Sequence, residues 1–586
     1  MRNKHIVRNK SILAFTILLF VSSCSPQDSI TLSPSIQAPP AAGIVSPELE
    51  PPPLSAPQTS PAPELDPMPN PPQSPEPAQV VTPSPTPAPP SPLSLFQAHC
   101  LPETDPDGMN YRYDVLSDGK IVTDYSCPDR IAFDLPDTYT SLGITTFRGN
   151  NFRDNAAWGN VSGGKLTELY SFKIGYIDKW TGTGWTGQPS IVRWERDVMR
   201  HMNIKPEKMD RAELIEVIYG TMDGKIYFFD LEDGAPTRDP IVLGEPIKGS
   251  VTVDPRGYPI LYVGQGVRYK SRMGYYIYSL LDGGELAFIN GMDPFAKRGW
   301  GAFDANPLID AKNDRMFLCG ENGVIYNIKL NTDFNREAGA LAIDPRIVRY
   351  RYTARSSGYL GIESSPSAFS HYLFTADNSG IVQCVDLAAF QPVWARSCTD
   401  DTDSSVVLDW EAENQRLSLY TACEVDHQGP GGFSYIRKLD ASCGELLWEH
   451  KYPCLHDPDV NGGVLATPVV GMGDLSGYVF FWIAKVRGMD GGGVLACFDK
   501  YTGEIAWENI MPFYGWSSPV ALYKEDGTGY LVVCDFAGSM YLIRGATGEI
   551  LDKIPLGANI EASPAAYGNT IVVGTRGMKI YGIAIS

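Results

Sequence analysis

From residue 165 onward, short apolar runs alternate with turns rich in Gly, Asp and Asn, and one order recurs: a small-residue step into a strand, a Gly hairpin, and a short strand ending in a Gly-Glu turn. It is clearest at Ser517-Ser518-Pro519, then Phe536-Ala537-Gly538-Ser539-Met540-Tyr541-Leu542, then Ala546-Thr547-Gly548-Glu549-Ile550. The same order runs from Ser364-Ser365-Pro366 through Ser379-Gly380-Ile381-Val382-Gln383-Cys384-Val385-Asp386 to Trp394. Four short antiparallel strands repeated at about 40 to 60 residues predict an all-β β-propeller, because one such sheet cannot bury both faces unless neighbours stack around an axis.

The step into the innermost strand reads eight times: Gln188-Pro189-Ser190, Gly249-Ser250-Val251, Asn306-Pro307-Leu308, Ser365-Pro366-Ser367, Ser404-Ser405-Val406, Thr467-Pro468-Val469, Ser518-Pro519-Val520 and Ser563-Pro564-Ala565. Pro suits this place if the edge facing the channel has no ladder partner to lose. Asp223-Gly224, Asn322-Gly323, Gly274, Gly380, Gly538 and Gly577 read as turns between strands, where positive φ is expected. The last repeat stops after about three strands, and the alternation of residues 165–174 suits the missing fourth. Eight four-stranded antiparallel blades closed by an N-terminal strand are therefore expected, with seven as the alternative. The clearest helical stretch, residues 193–217, reads as an insertion into a blade.

Ahead of the repeats lie two other regimes. Arg2, Lys4, Arg8 and Lys10 precede an apolar run from Ile12 to Val21. About ten residues are too few to span a bilayer, which needs about 20, so the run reads as a secretory signal. Val21-Ser22-Ser23-Cys24 resembles the lipobox of bacterial lipoproteins, which implies cleavage after residue 23 and acyl chains on Cys24. An ordinary cleaved signal with a chance Cys is the alternative. Two or three acyl chains anchor stably where one is marginal, and Ser25 resembles the pattern of lipoproteins sent to an outer membrane. Residues 24–93 form a Pro-rich tether that cannot bury a core. At about 3.1 Å per residue its reach is roughly 200 Å. Residues 94–164 are a pre-propeller segment and 165–586 the propeller.

The formal net charge is −20, and cleavage after residue 23 removes four basic residues and no acidic ones, taking it to −24. Such acidity argues against nucleic acid or an anionic bilayer surface as a partner. Ten cysteines remain beside Cys24. Cys100 and Cys127, both in the short pre-propeller segment, are the disulfide candidate. Cys319, Cys384, Cys497 and Cys534 fall in apolar strand patterns and read as buried small hydrophobes. Zinc, haem, P-loop and hydrolase signatures are absent from the sequence.

Tyr501-Thr502-Gly503-Glu504-Ile505-Ala506-Trp507 resembles the signature of the pyrroloquinoline quinone (PQQ) type repeat, and Ala441-Ser442-Cys443-Gly444-Glu445-Leu446-Leu447-Trp448 is a second copy. Thr146-Phe147-Arg148-Gly149-Asn150 is similar to the segment that opens many such propellers. The resemblance covers roughly residues 145 to 586. It implies that Trp394, Trp448 and Trp507 dock between neighbouring blades. The quinoprotein dehydrogenases of this family use a vicinal Cys-Cys disulfide, a calcium ion bridging the quinone and a catalytic Asp. This chain has no adjacent cysteines and no Asp that aligns with the catalytic one. A lipobox followed by PQQ-like blades is more similar to the propeller lipoproteins of the outer-membrane protein assembly machinery, which are scaffolds.

Loops leading into the inner strands carry Trp185, Trp300, Tyr359, Tyr514 and Trp516, with Glu363 and Glu561 at equivalent places beside the channel. They read either as a binding rim, with aromatic faces for contact and carboxylates for polarity or metal, or as plugs that pack the loops. Asp457-Pro458-Asp459-Val460-Asn461-Gly462-Gly463 begins like a calcium loop, but Pro468 stands where an EF-hand has Glu, so a solvated turn is the simpler reading. No catalytic or metal residue is assigned. The expected function is a lipid-anchored, extracytoplasmic, non-enzymatic scaffold that binds a protein or cell-envelope polymer without a cofactor. The alternatives are a PQQ- and calcium-dependent alcohol or sugar dehydrogenase, or a carbohydrate-binding propeller.

Overall fold

The structure, a computed structural model, describes residues 91–586 apart from 186, 269–271, 355–359, 458–459 and 490–491. Cys24, the tether up to residue 90 and Tyr359 lie outside the described residues. Strands ordered from axis to rim form eight four-stranded antiparallel blades. We number them 1 to 8, from the inner strand Ser190–Arg193 to the inner strand Ala565–Tyr567. Blade 7 shows why the pattern folds this way. Its strands Val520–Tyr523, Gly529–Cys534 and Ser539–Arg544 are almost wholly buried, because blades 6 and 8 cover both faces, whereas the rim strand Ile550–Pro555 alternates toward solvent. The ring closes as expected. Leu166–Lys173 becomes the rim strand of blade 8, with Leu166 opposite Ile585 and Lys173 opposite Lys579.

Tryptophans on the rim strands of blades 4, 5 and 6 join one blade to the next. The indole Nε1 of Trp394 donates to Ala441 O (2.9 Å), that of Trp448 to Lys500 O (3.2 Å) and that of Trp507 to Gly545 O (2.9 Å). Each ring covers a turn glycine of the following blade. A Cβ on Gly503, which has φ +77°, would lie 2.7 Å from Trp448 Cγ, so this turn excludes a side chain both by conformation and by space.

The small polar residues before the inner strands form a belt. Backbone amides of Gln188, Asn306, Ser365, Ser405, Thr467 and Ser518 donate to the hydroxyls of Ser250, Ser365, Ser405, Thr467, Ser518 and Ser563 at 2.8–3.2 Å, each to the next blade. The belt corrects the sequence register in two blades. Ser250 and Ser405, rather than Gly249 and Ser404, hold the rank of Ser365.

The channel edge of the inner strands is not open, as the proline argument assumed. Residues 143–158 run inside the ring and take its free amides: Val253 N donates to Thr145 O, Ala368 N to Asn151 O, Leu408 N to Phe152 O and Ala566 N to Ala156 O. Arg148 and Arg153, both fully buried, complete the plug. Arg148 donates to the carbonyls of Pro468 and Pro519, and Arg153 to those of Asn306, Pro307 and Pro366. The prolines remove donors from this edge but leave acceptors, and two guanidinium forks satisfy them. Burial lowers Arg153 to about 9 and Arg148 to about 10.

Of the pre-propeller segment 94–164, the part ahead of the plug packs on the outside of the blades. Phe96 packs edge-on against Phe369 (5.4 Å), and Arg112–Ser117 with Lys120–Val122 extends blade 3 to six strands. The Cys100–Cys127 disulfide is not formed; both are free thiols. His99 N is held by Ser442 O of blade 5, while Cys127 N is held by Ala388 O of blade 4, so this packing fixes the two on different blades. Cys319, Cys384, Cys497 and Cys534 are buried, as read from the sequence. The helical insertion is in blade 1, but as two single turns, Arg196–Met199 and Pro206–Met209, rather than one helix. Pro206 interrupts the run, while Val198, Met199, Met202 and Ile204 turn into the core.

Candidate functional site

The belt fixes which side chains face one another at the end of the channel opposite the plug. Two residues before each belt position stand Lys248, Asp304, Glu363, Asp403, Leu465, Trp516 and Glu561 in blades 2 to 8. A second ring follows the second strand of each blade, and in blades 3 to 7 it is Glu321, Asn378, Glu424, Lys485 and Phe536. Charge is therefore divided unevenly around an eightfold scaffold. Blades 3 to 5 carry the clustered carboxylates and blade 8 a single one, Glu561, while blades 6 and 7 carry Leu465, Trp516, Phe536 and a lysine already paired with Asp457 (2.9 Å).

In the first carboxylate group, Asp304, Glu321 and Glu363 offer oxygens within 4.8 Å of one another. Lys248 Nζ pairs with Asp304 and lies 5.5 Å from the centre of the Trp185 ring. Trp300 Nε1 donates to Glu321 Oε2 (2.6 Å). Burial raises Asp304 to about 6, with Lys248 opposing the rise and Glu363 adding to it. Burial, then repulsion from Glu363 and Asp304, raises Glu321 well above the usual carboxylate range.

In the second group, Asp401, Asp403 and Glu424 also lie with oxygens within 4.8 Å of one another, and Asp401 forms a further such set with Asp426 and His427. Asn378 Nδ2 reaches Glu363 (3.1 Å), Asp401 (3.4 Å) and Asp403 (3.4 Å), tying the two groups together. Burial and mutual repulsion hold all three carboxyls well above their ordinary values. Among the described residues no Lys or Arg is ion-paired with any of them. Several polar atoms here are buried without a partner: Asp304 Oδ1, Glu321 Oε1, Asn378 Oδ1, Asp401 Oδ1, and the indole nitrogens of Trp185 and Trp516.

No protein-family model and no curated protein matches the chain. Solved structures do. It is similar to BamB from Moraxella catarrhalis, at 15% identity over 72% of this chain and 99% of that one, with a TM-score of 0.44. It is also similar to the quinohemoprotein alcohol dehydrogenase from Comamonas testosteroni (12%, 75% and 80%, TM-score 0.49) and to the computationally designed Ika8 protein (12%, 74% and 100%, TM-score 0.42). The likeness is one of fold. The eight-bladed, PQQ-like architecture read from the repeats stands on the sheet topology and the tryptophan docks, and identities this low say nothing of chemistry.

The expected rim is partly gathered. Glu363, Trp516 and Glu561 share one ring; Trp300 touches Glu321, and Trp185 covers Lys248. Tyr514 instead stacks on Phe536 (4.8 Å) under Lys485 Nζ (5.0 Å), and Glu561 accepts from Asn559 (2.7 Å). Sequence reasoning missed Lys248, Asp304, Glu321, Asn378, Asp401, Asp403 and Glu424. The signal for three of them was the rank of Glu363, two residues before the belt, once the register of each blade is right.

PQQ carries three carboxyl groups. The donor set does not fit it: against the six carboxylates of the two groups stands one ion-paired cation, Lys248 on Asp304, so an anionic quinone meets like charge. A cavity of about 180 Å³ on the plug face, lined by Phe133, Pro136, Thr145, Pro255, Pro307 and Ile309 among others, contains none of these carboxylates.

Proposed function

We propose that this chain is a non-enzymatic recognition propeller, held outside the cytoplasm by lipid on Cys24, that binds a protein or cell-envelope partner in the polar mouth of its channel. The observation that carries this reading is the pair of carboxylate groups at one end of the channel. Arg148 and Arg153 fill the other end, while here buried, mutually repelling carboxylates gather beside Leu465, Trp516 and Phe536. Burial of like charges without partners is unfavourable in the empty protein and is relieved when a complementary group arrives. The lipobox and tether support the location, and the tether sets the reach of the ring from its anchor.

A photocrosslinking residue at Trp516, compared with one at Asp137 on the plug face, tests this in intact cells. A discrete crosslinked species from Trp516 alone is expected. Equal labelling from both faces, or none from the mouth, refutes it. Titration of the full chain with PQQ in calcium-containing buffer is expected to give no saturable heat, and dye-reduction assays with sugars and alcohols no turnover. Saturable binding weakened by Trp516→Ala would restore the dehydrogenase reading.

A further inference from the structure

We propose that the second carboxylate group, Asp401, Asp403 and Glu424, binds the ammonium of a lysyl side chain presented by the partner protein. This inference names the ligand class of the mouth and rests on the recognition reading above.

The chain itself supplies the template. In the first group, Asp304, Glu321 and Glu363 present oxygens within 4.8 Å of one another, and a lysine fills that group from blade 2. Lys248 Nζ bonds Asp304 and lies over Trp185. The second group repeats this arrangement. Asp403 holds the rank of Asp304 before the belt, Glu424 holds the rank of Glu321 after the second strand, and the oxygen spacing falls within the same limit. It differs in two respects: Leu465 holds the rank of Glu363, so the third carboxylate comes from Asp401, and among the described residues no lysine or arginine is ion-paired with the group.

A second observation marks a missing ligand here. Asn378 is 6% exposed and its amide nitrogen touches Glu363, Asp401 and Asp403, yet its Oδ1 has no partner, and neither has Asp401 Oδ1. An ammonium brings three donors and one positive charge, which matches three carboxylates crowded into one site. The neighbouring ring positions Leu465 and Trp516 are apolar and buried, or nearly so, and offer a wall for a four-carbon stem. A lysyl chain has that stem; an amino sugar bears its amine on a hydroxylated ring.

The carboxyls facing this site are Asp401, Asp403, Glu424, Glu363 and Asp426, with His427 beside Asp426 and Lys248 across the mouth. Because burial and mutual repulsion favour their protonated forms, an entering ammonium must displace protons. Binding is then linked to proton release and tightens as pH rises.

The test is calorimetric titration of the full chain with Nα-acetyl-lysine methylamide at pH 6 and pH 8, in buffers of different ionisation enthalpy. The uncharged norleucine analogue, glucosamine and calcium chloride are run alongside. Saturable binding of the lysine derivative alone is expected, at least threefold tighter at pH 8, with buffer-dependent heat, and weakened tenfold or more by Asp403→Asn and Glu424→Gln. Melting curves that stay cooperative show that both variants are folded. Equal binding of the norleucine analogue, variant-sensitive binding of glucosamine as tight as that of lysine, or calcium binding at these residues with none of lysine overturns the proposal. If lysine fails while Trp516 still crosslinks a partner, the recognition reading survives without this ligand.

Discussion

Lys248→Met isolates the electrostatics of the mouth, because methionine keeps most of the alkyl stem against Trp185 and removes only the charge. The lysine side chain is 21% exposed and the Asp304 side chain fully buried. Removing one partner of a buried pair destabilises by about 3–5 kcal/mol. Unfolding entropy is about 2.1 cal/mol/K per residue. Over the roughly 500 residues of Pro87–Ser586, that amounts to about 1 kcal/mol/K, so Tm should fall by about 3–5 °C at pH 8. The sign with pH follows from Asp304, whose carboxyl is raised by burial to about 6. A raised acid contributes stability that is complete below its unfolded value and lost as pH climbs through the folded one. Lys248 limits that loss by offsetting the carboxylate, so its removal matters above pH 6 and little at pH 4.5, where Asp304 is protonated. Circular-dichroism melts at both pH values measure the difference. Asp304→Asn in the Lys248→Met background should restore most of the loss at pH 8. An equal deficit at both pH values, or no recovery in the double variant, would show that Lys248 acts by packing alone.

Three further outcomes follow from contacts described above. Trp394→Ala, at a fully buried indole bonded to Ala441 O, should cost about 3–5 kcal/mol, read as a Tm lower by about 3–5 °C; a shift under 1 °C would remove the docking role. Arg153→Lys cannot reproduce a fork that reaches Asn306, Pro307 and Pro366. It should destabilise by more than 2 kcal/mol, on the order of two lost charge-assisted hydrogen bonds, in a urea titration; an unchanged midpoint would refute the plug. Cys24→Ser should move the protein from the membrane pellet to the soluble fraction, and retention in the pellet would count against the lipid anchor.

What the sequence made legible, and what it hid, divides along the range of the interactions. Turn glycines, the Gly-Glu-Trp units and the alternation of residues 165–174 act over a few residues, or between one blade and the next, and each carries its own chemistry in its letters. The plug does not. Arg148 reaches Pro519 and Arg153 reaches Pro366, 371 and 213 positions away, and no local pattern distinguishes a buried guanidinium from a solvated one. The candidate site is hidden for a subtler reason. Lys248, Asp304 and Asp403 are single loop residues in three different repeats, and each alone reads as a solvated charge. They become one ring only when the belt sets the register, and a one-residue slip at Ser404 moved Asp403 out of line with Glu363. Glu321 and Glu424 needed a second alignment, at the ends of the second strands. Backbone geometry repeats eight times here, while the side chains on it do not. That departure from symmetry, with acids in blades 3 to 5 and apolar or aromatic groups in blades 6 and 7, gives the mouth a direction. A ligand that presents its charge toward blades 3 to 5 and its apolar stem toward blades 6 and 7 satisfies both halves at once, and the reverse orientation leaves both unsatisfied.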